Sequence, residues 1–70
     1  MVRCKFKCTC INEYDSAYSY ILNAVYGSEE NRVYWESTPS GTFQVTINKS
    51  LGKLFEVGKE YLVDVVEVGG

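Results

Sequence analysis

Val2-Arg3-Cys4-Lys5-Phe6-Lys7-Cys8-Thr9-Cys10 alternates apolar and polar side chains without a break. A period of two marks a strand with one face buried and the other wet. It sets Val2, Cys4, Phe6, Cys8 and Cys10 toward a core and Arg3, Lys5, Lys7 and Thr9 toward solvent. The same alternation decides what the three cysteines can do. Same-face neighbours on a strand lie about 6.5–7 Å apart, whereas a disulfide brings Cβ atoms to about 3.5–4.5 Å, so Cys8 and Cys10 are a poor pair. Structural zinc takes four ligands, commonly as two close pairs, and the chain has no histidine to supply a fourth. The thiols are therefore expected as small buried hydrophobes, with no metal and no cofactor.

Outward from this strand, which extends to about Asn12, Asp15 and Ser16 mark a connection. Tyr18 to Tyr26 is rich in Tyr, Ile and Val and reads as a second strand, with Tyr20, Leu22, Ala24 and Tyr26 inward. Gly27 to Asn31 is polar and turn-prone, and Ser28 can cap one short helical turn. Arg32 to Ser37 reads as a third strand, joined through the turn Thr38-Pro39-Ser40-Gly41 to a fourth, Thr42 to Ile47, with Phe43, Val45 and Ile47 inward. Residues 32–47 are thus expected as a hairpin. Ser50 to Leu54 can form a helical turn, and Gly58 occupies a position that favours φ > 0. A last strand runs from Glu60 to about Val68 and is apolar on both faces: Tyr61, Val63 and Val65 on one, Leu62, Val66 and Val68 on the other. Such a strand is usually central or covered. If it pairs with the first strand, Arg3, Lys5 and Lys7 face Glu60 or Asp64, and the amino-terminal basic patch is partly neutralised.

Five β segments with short connections in 70 residues indicate one small all-β domain, residues 1–70. The expected form is a five-stranded barrel of the oligonucleotide-binding (OB-like) or SH3-like type, in which closure removes the exposed edges. Hydrophobic residues make up 46% of the chain, with Tyr 6, Phe 3 and Trp 1, enough apolar area for so short a chain to fold. The net charge of −2 and pI near 4.9 work against sequence-independent nucleic-acid binding, which rests on clustered Lys and Arg. No stretch of about 18 apolar residues suggests a membrane span. No secretory signal is visible, so a cytoplasmic protein is expected.

Two blocks carry a resemblance. Glu30-Asn31, Tyr34-Trp35 and Thr38-Pro39-Ser40-Gly41 form an E-N-x-x-aromatic-aromatic-x-x-T-P-S-G pattern, and Phe55-x-x-Gly58-Lys59-Glu60-Tyr61-x-Val63-Asp64 forms F-x-x-G-K-x-Y-x-V-D. Together they span about half the chain. They resemble very small uncharacterised proteins of tailed bacteriophages and prophages. The resemblance implies a phage or bacterial-cytoplasm setting and brings no activity with it.

For catalysis the chain lacks histidine and shows no nucleophile beside a base. Glu29 and Glu30 are adjacent and read as solvated. The expectation is a non-enzymatic binding module working through a protein partner or self-association. The alternative is single-stranded nucleic acid, stacked on aromatics beside basic residues, for which Tyr14, Tyr18, Tyr34, Trp35, Arg32, Lys49 and Lys53 are the candidates. Tyr34 and Trp35 are consecutive, so in a strand only one of them faces the core. The candidate binding residues are Arg32, Tyr34 and Trp35 with the turn Thr38, Pro39, Ser40 and Gly41.

Overall fold

A computed structural model describes residues 2–34 and 40–69. Four antiparallel strands, β1 (Val2–Glu13), β2 (Ala17–Ala24), β3 (Thr42–Asn48) and β4 (Glu60–Val65), form one sheet in the order β3-β2-β1-β4. A four-residue helical turn, α1 (Glu29–Arg32), lies between β2 and β3, and a 3-10 turn (Lys49–Leu51) follows β3. The sheet curls into a half-barrel. Its extents of 40 × 33 × 14 Å are those of a single layer with a thin cover.

The core lies on one face of that layer. Cys8, Tyr20 and Leu22 are its fully buried centre, and Phe6, Ile11, Tyr18, Val45, Ile47, Phe55 and Tyr61 pack against it. The cover is the segment between the 3-10 turn and β4. Phe55 meets Tyr20 and Tyr61 edge-on, with ring centroids 5.0 Å away in each case, a favoured aromatic geometry. The main chain is tied down by two phenols: Leu54 N–H donates to the Tyr20 hydroxyl (3.2 Å) and Glu56 N–H to that of Tyr61 (2.9 Å). Gly58, at φ 92°, sits in a turn where Lys59 N–H donates to the Glu56 carbonyl. That positive φ is the one the sequence pattern anticipates.

The first strand bends where its alternation fails. Cys8 pairs with Leu22 but Cys10 with Ile21, so Thr9 is an extra residue in β1. This β-bulge shifts the phase of all that follows. The expectation that Cys4, Cys8 and Cys10 share a face is corrected here. Cys4 and Cys8 are buried, whereas Cys10 turns to the outer face and its thiol lies 3.8 Å from the Asn12 amide oxygen. Ile11 takes the inward place opposite Tyr20.

Three further expectations are revised. Arg32 ends α1 and Val33 and Tyr34 form a turn, so the strand over Arg32–Ser37 is absent in its described part. β3 pairs with β2, so the expected hairpin over residues 32–47 is not formed by its described part, and four strands stand among the described residues in place of five; residues 35–39 of the expected hairpin lie outside the described residues. The last strand ends at Val65 and, among the described residues, is an edge, neither central nor covered: Leu62, Val65, Val66 and Val68 are 53%, 61%, 64% and 96% exposed. Two-sided apolar character reads as burial only when something lies on both sides.

Asn31 explains why the chain after β2 stays close. Its side chain is 1% exposed and its amide enters the ladder between β1 and the residue after β2. Lys5 N–H donates to Asn31 Oδ1 (2.7 Å), and Asn31 Nδ2 donates to the carbonyls of Lys5 (2.8 Å) and Val25 (3.0 Å). One side chain thus satisfies main-chain groups that the end of β2 leaves open, and it fixes α1 against β1.

Candidate interaction surface

The free edge follows from the hydrogen-bond phase of β1. Lys5 and Lys7 turn their main-chain groups toward β2, as the Val25 N–H to Lys5 carbonyl bond shows (3.1 Å), and Cys8 turns its own toward β4, exchanging bonds with Gly58 and Lys59. In an antiparallel pair such groups alternate. Val65, Val63 and Tyr61, opposite Val2, Cys4 and Phe6, therefore bond to β1. Glu60, Leu62 and Asp64 direct their N–H and C=O groups away from the sheet. Along β3, Phe43, Val45 and Ile47 bond to β2 in the same phase as Ala24 to the Gly41 carbonyl (3.0 Å), leaving Thr42, Gln44 and Thr46 at the other edge.

The two edges differ in chemistry. Near β4 the apolar side chains Leu62, Val65 and Val66 are all more than half exposed. The acids among them are already engaged from within the chain. Arg3 grips Asp64 with two bonds, Nε to Oδ1 at 2.6 Å and the terminal nitrogen to Oδ2 at 2.9 Å, and Lys5 Nζ lies 3.9 Å from Glu60. This is the cross-strand neutralisation that the sequence anticipates. The hydrogen bonds and charge of Arg3 hold the Asp64 carboxyl below its ordinary range. On the outer face, Thr9, Asn23 and Thr42 form a polar chain across three strands: Asn23 Nδ2 donates to Thr9 Oγ1 (2.7 Å) and Thr42 Oγ1 to Asn23 Oδ1 (2.9 Å).

The aromatic and basic residues singled out in the sequence divide between two ends of the sheet. Tyr18, Lys49 and Lys53 meet at one end, with the two ammonium groups 5.4 and 5.7 Å from the ring centroid. Lys49 also pairs with Glu13 at 2.8 Å, whose carboxyl is held below its ordinary range by that bond. Tyr14, 56% exposed, lies in the β1–β2 connection. Arg32 and Tyr34 belong to the other end, where Asn31 fixes α1 at Lys5 and Val25, and Gly41, next to Ser40, bonds there to Ala24. All four of these residues are exposed, and Arg32 borders a shallow depression with Glu29 and Val33. Trp35, Thr38 and Pro39 lie outside the described residues. Tyr18 and Val25 are seven residues apart, about 23 Å of strand, so the two groups do not form one continuous surface.

Cys4, Cys8 and Cys10 are the three thiols of the chain. All three are free, burial raises the Cys8 thiol above its ordinary range, and among the described residues no three Cys, Asp or Glu side chains converge as metal ligands. The open β4 edge is not among the sites the sequence points to; the apolar character of both faces of this strand, Tyr61, Val63 and Val65 on one and Leu62 and Val66 on the other, calls for a neighbour without saying where it lies. Comparison of the chain with family models, curated proteins and solved structures returned no match.

Proposed function

We propose that this chain is a non-enzymatic binding module, an accessory protein of a tailed phage or prophage that acts in the bacterial cytoplasm by binding protein. The sheet is a half-barrel of the OB-like or SH3-like kind, and the partner supplies the strand its open edge lacks. The observation that carries the reading is β4, which among the described residues is an unpaired edge with exposed aliphatic side chains and internally neutralised acids. Proteins commonly protect an edge with Lys, Pro, a bulge or a covering loop. β4 contains none of the first two, and the irregularity of β1 lies beyond its ladder with β4. Strand addition to such an edge takes affinity from main-chain hydrogen bonds and specificity from alternate side chains.

The test compares immobilised wild-type protein with Leu62→Pro in bacterial lysate, with and without nuclease. Proline removes an N–H that points away from the sheet, a substitution that edge strands tolerate. Protein captured despite nuclease, and lost with Leu62→Pro, supports the reading. Capture indifferent to Leu62→Pro counts against the edge.

A second reading is favoured by one cluster. Tyr18 beneath Lys49 and Lys53 offers an aromatic ring and two cations, the elements that hold single-stranded nucleic acid on an OB-like face. Retention on single-stranded DNA at low salt, lost on Tyr18→Ala and as salt rises, is its expected outcome. No retention at low salt removes it.

A further inference from the structure

We infer that the strand added to β4 is the β4 strand of a second copy of this chain, joined antiparallel about a two-fold axis with Val63 opposite the partner's Val63. The inference rests on the binding reading above and names its partner.

Three observations point to a second copy. The first is surface area. The chain exposes 5145 Å², whereas a folded monomer of its mass exposes about 4,400 Å². The excess, about 700 Å², belongs to the thin sheet as a whole, and it leaves room for the roughly 800 Å² that each partner contributes to a standard interface. The radius of gyration agrees, at 13.5 Å against about 11 Å for a compact chain of this length.

The second is which edge carries apolar surface. Exposed apolar side chains occur elsewhere too, Tyr26, Val33 and Leu51 among them, but Leu62, Val65 and Val66 gather at and beside one strand edge. At the β3 edge the outward main-chain positions belong to polar Thr42, Gln44 and Thr46; Val45 and Ile47 pack on the core and Phe43 is 37% exposed.

The third is that one register satisfies both faces. Pairing on the free edge must set Glu60, Leu62, Asp64 and, by continued alternation, Val66 against the same set. Centring on Leu62 places Glu60 opposite the partner's Asp64, and centring on Asp64 opposes two identical carboxylates. Like charges directly opposite are destabilising. Centring on Tyr61 leaves Val65 and Val66 without a partner strand. Centring on Val63 sets Tyr61 against the partner's Val65 on the core face, and sets Leu62 against Asp64 and Glu60 against Val66 on the outer face. It covers the exposed valines and opposes no like charges. The result is a continuous antiparallel sheet in which the two open β4 edges close each other, an isologous contact of the commonest oligomer symmetry.

Sedimentation equilibrium from micromolar to millimolar protein tests this, with circular dichroism to confirm the fold of each variant. The expected mass rises with concentration to twice 7.9 kDa. Leu62→Pro stays monomeric with an unchanged spectrum. Val66→Lys, opposite the partner's Glu60, tightens the dimer and Val66→Glu weakens it, each by about fivefold over two symmetric contacts. Doubling that persists in Leu62→Pro, or responds identically to both Val66 variants, overturns the inferred edge or register. A wild type that stays monomeric overturns the second copy. In that event, lysate capture that survives nuclease and is lost with Leu62→Pro leaves the binding reading standing, and its absence ends both.

Discussion

Replacing Asn31 by alanine perturbs the fold at a single polar side chain, and the structure sets the size of the effect. The variant deletes three hydrogen bonds of 2.7, 2.8 and 3.0 Å to the main chain of Lys5 and Val25, at a position 1% exposed. A typical bond contributes about 1 kcal/mol net, and a buried group left unpaired costs about 1–3 kcal/mol. The Lys5 carbonyl keeps its bond from Val25 N–H, so the uncompensated groups are Lys5 N–H and the Val25 carbonyl. The expected loss is about 2–4 kcal/mol, a large share of the roughly 4–10 kcal/mol usual for a chain of this length. In urea, with a slope of about 1 kcal/mol per molar, the midpoint falls by about 2–4 M or the protein is unfolded at the outset. Asn31→Asp is the sharper comparison. It keeps the acceptor for Lys5 N–H but points an anionic oxygen at two carbonyls, so it should destabilise at least as much as alanine. Far-UV circular dichroism across the urea transition measures both. An alanine variant within about 0.5 kcal/mol of wild type, the range of ordinary surface changes, or an aspartate variant that folds normally, would show that the Asn31 amide does not hold this junction.

Native protein treated with a thiol reagent should modify Cys10 quickly and Cys4 and Cys8 only on unfolding, because the bulge turns Cys10 outward while burial raises the Cys8 thiol; mass spectrometry of the labelled peptides shows which reacts. Phe55→Ala removes both edge-on ring contacts of the cover and should cost about 2–3 kcal/mol, the low side of the range because the ring is only half-buried. It should also speed proteolysis between residues 52 and 59, and an unchanged cleavage rate argues against the cover. Asp64 and Glu13 have folded-state carboxyls held below their ordinary values of 3.8 and 4.5 by Arg3 and Lys49. Their contribution is therefore complete above those ordinary values and is lost as pH falls from them through the lower folded-state values. Thermal midpoints should drop below about pH 4.5 and fall less in Asp64→Asn, whose midpoint is already lower at neutral pH; identical acid profiles argue against the Arg3–Asp64 bond in solution.

Alternation over Arg3–Cys8, the inward Val45 and Ile47, the turn at Gly58 and the pairing of Arg3 with Asp64 were all legible in the sequence, because each depends on local periodicity or on opposite charges in two strands. Phe43 and Tyr26, expected inward, are 37% and 77% exposed, Phe43 at the start of β3 and Tyr26 past the end of β2. The bulge at Thr9 was not, since Cys10 suits either face. The clue was Ile11, an aliphatic residue out of phase with the cysteines that needs the inward place more than a thiol does. Arg32–Tyr34 misled because aromatic residues favour strands in general, while here Asn31 binds the preceding segment to β1 and ends α1 in a turn. β4 misled for a different reason. Its two apolar faces identify a strand that wants a neighbour, and nothing in a single chain says whether that neighbour lies inside the chain or beyond it. At the candidate site, Arg32, Tyr34, Ser40 and Gly41 do come to one end of the sheet. The edge itself is a property of strand order, which no local pattern encodes.

Amide hydrogen exchange along β4 reports on the state of this edge residue by residue. If the edge is open and takes up another strand, Tyr61 and Val63 are protected in dilute protein while Leu62 and Asp64 exchange freely, and at high concentration Leu62 and Asp64 become protected as well. Exchange at Leu62 and Asp64 that is already slow in dilute monomer, or that stays fast at every concentration, contradicts such an edge.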